Sequence, residues 1–153
     1  MRLWRISNHA SLSGNGGLHS SGRWHSRGRR VVYLADHPAS ALIEVMVHLE
    51  LDAEDLPIYY QLLGIEVPDD IATTMIAETE LPDSWREQTA LTRARGDDWL
   101  RTGATALLRV PSAIVPEATN YLLNPAHPDG ARLATGSAVR ARFDPRLVAF
   151  LKS

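Results

Sequence analysis

Val31-Val-Tyr-Leu-Ala-Asp-His-Pro-Ala-Ser-Ala-Leu-Ile-Glu-Val-Met-Val-His-Leu49 carries two structural signals in succession. Val31 to Ala35 is rich in β-branched and aromatic residues, which reads as a strand. Asp36-His37-Pro38 then supplies a helix start, with a capping residue and a proline in the first turn. The helix is expected from about Ala39 to Leu51. Working outward, Leu3 to Ile6, Tyr59 to Val67, Thr105 to Val110, Asn120 to Leu123 and Ala138 to Phe143 read as strands. Ile71 to Ala77 and Ile114-Val115 are weaker strand candidates. Trp85 to Arg95 and Asp97 to Thr102 read as helices punctuated by Gly96 and Gly103, and Asp144-Pro145 opens a terminal turn. Short strands interleaved with a few helices predict an α+β, or mixed α/β, domain. No repeat or linker divides the 153 residues, so one domain over 1–153 is expected.

The helical part of that stretch is apolar on almost every side, which predicts burial within the domain. Its polar side chains are Ser40, Glu44 and His48. Spacing of four stacks them on one face, one turn apart. Such a stripe is either a narrow solvent face or one wall of a cleft, where a carboxylate needs hydrogen-bond donors. In the second case Ser40, in the first turn, adds helix-terminus amides that suit an anion.

Before the strand lies Gly22-Arg-Trp-His-Ser-Arg-Gly-Arg-Arg30. Its four arginines read as a solvated turn, as a nucleic-acid patch with Trp24 and His25 for stacking, or as one phosphate-gripping arginine among surface neighbours. Arg23 is favoured for the last role, because Gly22 and Trp24 look like strand entry. Arg27, Arg29 and Arg30 surround Gly28 and look like a hairpin turn. Further upstream, His9 to Gly22 is a Gly/Ser/Asn-rich loop, either a lid or ordinary surface.

Composition narrows the function. Hydrophobic residues make up 44% and charged residues 22%, an ordinary soluble balance. A net charge of −2 argues against a protein devoted to nucleic acid. No apolar run approaches a membrane span, and Met1 to Ser7 lacks a secretory apolar core, so a cytoplasmic location is expected. Zero cysteines exclude disulfides, thiolate metal sites and a cysteine nucleophile. The histidines are dispersed without convincing ligand spacing, so no metal is expected. Of the sixteen basic residues only Lys152 is a lysine; arginine's planar fork is the better grip on a diphosphate. Gly14-Asn-Gly-Gly17 lacks the spacing and the strand–helix setting of a dinucleotide-binding loop.

Taken in order, Gly22-Arg23-Trp24, Val31-Val-Tyr-Leu-Ala35, Ala41-Leu-Ile-Glu-Val45 with His48, Val110-Pro-Ser112, Asn120-Tyr-Leu-Leu-Asn-Pro125 and Phe143-Asp-Pro-Arg-Leu147 resemble the RES domain. The family takes its name from an arginine, a glutamate and a serine, which here look like Arg23, Glu44 and Ser112. The resemblance implies a fold similar to ADP-ribosyltransferases, a split mixed sheet with an NAD+ cleft between its halves. It implies a toxin of a RES–Xre toxin–antitoxin pair that depletes NAD+ by phosphorolysis or hydrolysis. At least one kind of member instead modifies a protein with ADP-ribose. The implied partner is an Xre-type antitoxin with a helix-turn-helix domain, its other domain covering the toxin's cleft, so a hetero-oligomer is expected. The implied catalytic residues are Glu44, Arg23 and Ser112, and the implied NAD+ site comprises Arg23, Tyr33, Ser40, Glu44, His48, Ser112 and Asn120. Arg27, Arg29 and Arg30 are additional and have no assigned role.

Chemistry gives those residues work to do. Cleaving the nicotinamide–ribose bond builds positive charge on the sugar, which a carboxylate such as Glu44 stabilises. Nicotinamide leaves without needing a proton, so one carboxylate suffices. Arg23 would hold the diphosphate or a ribose hydroxyl, Tyr33 would stack on nicotinamide, and Ser112 and Asn120 would fix the ribose or the amide. NAD+ is then a consumed substrate, with inorganic phosphate a candidate co-substrate. The alternatives are a protein mono-ADP-ribosyltransferase, a nucleic-acid-binding or RNA-cleaving toxin that uses Arg23 to Arg30, and a non-catalytic interaction module. The last leaves the carboxylate stripe unexplained.

Overall fold

In the computed structural model, residues 1–48 and 58–152 are described. The strands are β1 (Arg2–Ile6), β2 (Val32–Ala35), β3 (Tyr59–Glu66), β4 (Thr73–Met75), β5 (Leu107–Pro111), β6 (Thr119–Leu123) and β7 (Ala134–Arg142). The helices are α1 (Gly16–His19), α2 (Pro38–His48), α3 (Thr89–Thr102) and α4 (Pro145–Lys152), with 3-10 turns at Glu78–Glu80, Trp85–Glu87 and Pro128–Arg132. The strands form one mixed sheet in the order β4-β5-β6-β2-β1-β3-β7. Only β4 and β5 run parallel; their connection carries α3, as a parallel crossover requires.

The sheet is joined most thinly at its middle. β1 and β2 share a single register pair, Trp4↔Ala35, whereas β1 and β3 share five from Arg2↔Glu66 to Ile6↔Leu62. This seam divides β4-β5-β6-β2 from β1-β3-β7, the split expected of the fold. The chain nevertheless crosses it at β1–β2, β2–β3, β3–β4 and β6–β7, so neither half is a continuous segment. α2 packs against both β1 and β2, directly over the seam.

Alternation sends successive side chains to opposite faces and makes two cores. Leu3, Val32, Leu34, Leu63, Ile65, Leu107 and Leu123 are buried on one face. On the other, Leu108, Val110 and Leu122 pack with Trp24, Trp85, Trp99 and the half-buried Tyr33. Register places Ala35 opposite Asn120 and Tyr33 opposite Leu122, so Tyr33, Ala35 and Asn120 share the tryptophan-bearing face.

Several expectations change. α2 is not buried: Ala41 is its buried residue, Leu42 to Met46 are half-exposed, and Val47 is 57% exposed. The helix lies on one face of the sheet, against β1 and β2; the expected residues 49–51 fall outside those described. Gly96 does not punctuate two helices, because α3 runs through it from Thr89 to Thr102. A Cβ at Gly96 would overlap the Trp24 carbonyl oxygen and lie 2.7 Å from its carbonyl carbon. The glycine therefore lets the helix touch the Trp24 backbone, whereas Gly103, at φ 63°, does end the helix as a left-handed cap. Ile114-Val115 is no strand but part of a turn stapled by the Ser112 hydroxyl, which accepts from both amides at 3.1 Å. The glycine-rich loop contains α1 and is tied down, since the Gly28 amide donates to the Gly17 carbonyl. The terminal turn at Asp144-Pro145 opens α4.

Candidate functional site

The start of α2 is built differently from the sequence reading. Asp36 does not cap it; its Oδ2 accepts from the Thr119 amide at 3.1 Å, pinning the end of β2 to β6. His37 Nδ1 accepts from the Ala39 amide at 3.1 Å instead. The helix is thereby anchored where β2 meets β6, and Glu44 faces the ends of β5 and β6.

There Glu44 Oε1 accepts from Asn120 Nδ2 at 2.8 Å and from the Ser112 hydroxyl at 3.2 Å. Ser112 is buried and its oxygen is fully used, donating to Glu44 while accepting from Ile114 and Val115. Two hydrogen bonds to a charged acceptor are each worth about 1.5–3 kcal/mol, enough to fix the carboxylate's orientation. Oε2 lies 4.0 Å from His48 Nε2. The Glu44 side chain is 27% exposed and that of His48 is 70% exposed. Asn120 Oδ1 is buried with no hydrogen-bond partner among the described residues. Three of the seven expected site residues, far apart in sequence, thus meet in one cluster, with His48 beside it. Ser40 precedes Glu44 by one helical turn.

Tyr33 is the diagonal neighbour of Asn120 on the same sheet face. Its hydroxyl is engaged by the Gly22–His25 turn, accepting from the Trp24 amide at 3.1 Å and lying 2.8 Å from His25 Nδ1. Burial raises the phenol pKa well above its ordinary value, outweighing the nearby Arg93 and Arg23 charges, so Tyr33 stays neutral.

Arg23 lies apart from this cluster, in a turn of its own. Gly22 to His25 form a tight turn closed by the Gly22 amide on the His25 carbonyl at 3.1 Å. α3 clamps this turn: Thr92 Oγ1 donates to the Arg23 carbonyl at 2.6 Å and Arg93 Nε to the Gly22 carbonyl at 2.8 Å. Arg23 Nη1 donates to the Arg86 carbonyl at 2.9 Å, which seats the guanidinium beside the Trp85 turn and outside the Glu44 hydrogen-bond cluster. Arg27, Arg29 and Arg30 are exposed around Gly28, which has φ 102°, and Arg29 pairs with Asp97 at 3.4 Å. They lie in a turn and bend that joins no two paired strands; the bridge of this segment is Gly22↔His25, so Arg23, expected at a strand entry, sits in the bridged turn instead.

Sequence reasoning missed the residues that hold this arrangement: His25, Thr92, Arg93, Gly96 and the register partner of Ala35, Trp4. A glycine at mid-helix was the one visible signal. Among the described residues no three His, Asp or Glu side chains gather as a metal would require, and no helix is long and apolar enough to cross a membrane.

Glu44 is thus a half-buried carboxylate held by two neutral donors, Asn120 and Ser112, on the sheet face that also carries Tyr33. The RES domain family model matches residues 2–144, and the chain belongs to the RES-domain family. It is 52% identical over 128 residues to a protein named Toxin Res from Pseudomonas putida strain KT2440, covering 84% of this chain and 87% of that one. It is 38% identical over 156 residues to the Prs ADP-ribosylating toxin of Sphingobium sp. strain YBL2, covering 95% and 96%. In structure it matches a chain from the crystal structure of the M. tuberculosis MbcT–MbcA toxin–antitoxin complex, with TM-score 0.77 and 18% identity, over 99% of this chain and 88% of that one.

Proposed function

We propose that this chain is the toxin of a toxin–antitoxin pair and that it consumes NAD+ by breaking the nicotinamide–ribose bond. The observation that carries the reading is Glu44: Oε1 is held by Asn120 and Ser112, and Oε2 lies beside the exposed His48. A carboxylate oriented before substrate arrives stabilises the oxocarbenium-like ribose without reorganising, which is where such electrostatic catalysis gains most. The bond breaks with its electron pair going to the pyridinium nitrogen, so nicotinamide departs neutral and no acid is needed. Ser112 and Asn120 orient Glu44, and the Tyr33 ring offers a stacking surface for nicotinamide. The Arg23 guanidinium, held through one nitrogen by Arg86, keeps its remaining N–H groups for the diphosphate. The family membership and the names of the curated relatives support the toxin reading.

Inorganic phosphate is the favoured nucleophile, with His48, beside Glu44 Oε2, as the group that would receive it; Ser40 lies about two helical turns away on α2, and Arg23 is kept for the diphosphate. Alignment of a bound nucleophile can contribute as much as about 7–11 kcal/mol over dilute encounter. The name of the Sphingobium relative supports a second reading, in which a protein side chain takes the ADP-ribose. An Xre-type antitoxin as partner and action in the cytoplasm belong to the same proposal; the matched complex supports an antitoxin partner.

The test incubates purified protein with NAD+, with and without phosphate, and identifies products by mass. ADP-ribose 1″-phosphate with strong phosphate stimulation is expected. Free ADP-ribose at a phosphate-independent rate would replace phosphorylase by glycohydrolase, ADP-ribose on an added protein would favour transfer, and intact NAD+ would refute the reading.

A further inference from the structure

His25 is 2% exposed, yet it lies inside the turn that carries Arg23. Its ring makes two polar contacts, Nε2 with the Ser20 carbonyl at 2.9 Å and Nδ1 with the Tyr33 hydroxyl at 2.8 Å. A carbonyl only accepts, so Nε2 carries a proton. In the neutral ring Nδ1 then accepts, and Tyr33 donates to it. The Tyr33 oxygen in turn accepts from the Trp24 amide. Every proton of the chain Ser20–His25–Tyr33–Trp24 has one consistent place. A second proton on His25 would make Nδ1 a donor, aim two donors at the Tyr33 oxygen and leave the phenolic proton without its acceptor.

We propose that His25 is a positioning residue of the site: its neutral ring locks the Tyr33 hydroxyl to the Arg23 turn, and a second proton on it releases that turn. The inference rests on the reading that Arg23 and Tyr33 bind NAD+.

The surroundings favour the neutral ring. Tyr33 faces it from β2, and the carbonyls of Gly17 and Ser20 face it from the α1 loop. Arg93 and Asp97 face it from α3, with Arg29 paired to Asp97. Burial is the largest influence and pushes the His25 pKa below its ordinary 6.5; the two carbonyls and Asp97 oppose this and Arg93 adds to it. Because the folded value lies below the unfolded one, His25 contributes stability that is present above about pH 6.5 and lost as the pH falls through its folded value. The ring and the phenol lie close against glycine backbone: a Cβ at Gly22 would overlap the Tyr33 hydroxyl and lie 3.0 Å from His25 Nδ1, and one at Gly17 would lie 3.2 Å from Nε2.

Two measurements test the proposal. The first is an NMR titration of the wild-type chain from pH 8 to pH 5, following the His25 ring nitrogens, the Tyr33 ring and Arg23 Nε. The proposal requires an Nε2–H tautomer at neutral pH and Tyr33 and Arg23 signals that shift with the same midpoint as His25. Tyr33 and Arg23 signals that stay still while His25 titrates, or a ring doubly protonated at neutral pH, overturn it, whatever the activity. The second is the pH profile of kcat/KM for NAD+ in wild type and His25→Asn, whose amide keeps an acceptor without titrating. Wild type should lose activity about tenfold per pH unit below the His25 midpoint, and the variant should lack that limb. An acid limb kept in the variant belongs to a group other than His25 and overturns the proposal. Co-titration in a protein that leaves NAD+ intact would uphold the lock and place the failure with the NAD+ reading.

Discussion

Gly96→Ala separates a helix glycine that serves packing from one that merely weakens a helix. In an exposed helix the substitution stabilises by about 1 kcal/mol, because alanine has the higher helix propensity. Here the new methyl would overlap the Trp24 carbonyl oxygen and lie 2.7 Å from its carbonyl carbon and 3.2 Å from its Cβ. Most of those atoms are backbone, so no side chain can swing aside. Either the overlap persists, at about 1–3 kcal/mol for overpacking, or α3 retreats from the turn. Retreat loses the Thr92 bond to the Arg23 carbonyl and the charged Arg93 bond to the Gly22 carbonyl, together about 2–4 kcal/mol. After the propensity gain, persisting overlap leaves a net loss of about 0–2 kcal/mol and retreat one of about 1–3 kcal/mol, the latter roughly 3–10 °C in Tm for a chain of this size. Urea and thermal unfolding measure it, and NAD+ turnover of the folded fraction should show a raised KM because Arg23 rides on the displaced turn. A Gly96→Ala protein more stable than wild type would refute the clamp of α3 on Gly22–His25.

Two further substitutions probe the site. Arg23→Lys should impair NAD+ turnover severely, since a point charge cannot hold the Arg86 carbonyl and a diphosphate at once, whereas Arg29→Lys and Arg30→Lys should be mild; steady-state kinetics that reverse this ranking would move the substrate elsewhere. Ser112→Ala should strand the Ile114 and Val115 amides and remove one donor from Glu44. Unfolding should show a loss of about 1–3 kcal/mol, and kcat should fall about tenfold or more; an unchanged kcat would deny Ser112 its part in orienting Glu44.

Much of the fold was legible because its signals are local. β2, the start of α2, β3, β5, β6 and β7 follow from alternation, β-branching and the Asp36-His37-Pro38 punctuation. What failed were positions where tertiary contact overrides a local sign. Gly96 reads as a break until Trp24 is laid against it, and the apolar sides of α2 read as burial until the helix is seen resting on one face over a seam. At the site, spacing alone aligned Ser40, Glu44 and His48, but periodicity could not choose between a solvent face and a cleft wall. The partners of Glu44 lie 68 and 76 residues away and were reached only through the family resemblance. Arg23 was picked out from its neighbours Gly22 and Trp24 without any view of its support, because α3, Arg86 and the His25 ring meet it only in the folded chain.

The most direct measurement is NAD+ consumption by Glu44→Gln beside wild type, with folding of both checked by circular dichroism and thermal unfolding. Glutamine keeps the volume and an acceptor for Asn120 and Ser112 but removes the charge that faces the developing cation. The account predicts a folded protein slowed by on the order of 10²–10³-fold or more. Near-normal turnover by folded Glu44→Gln would contradict it.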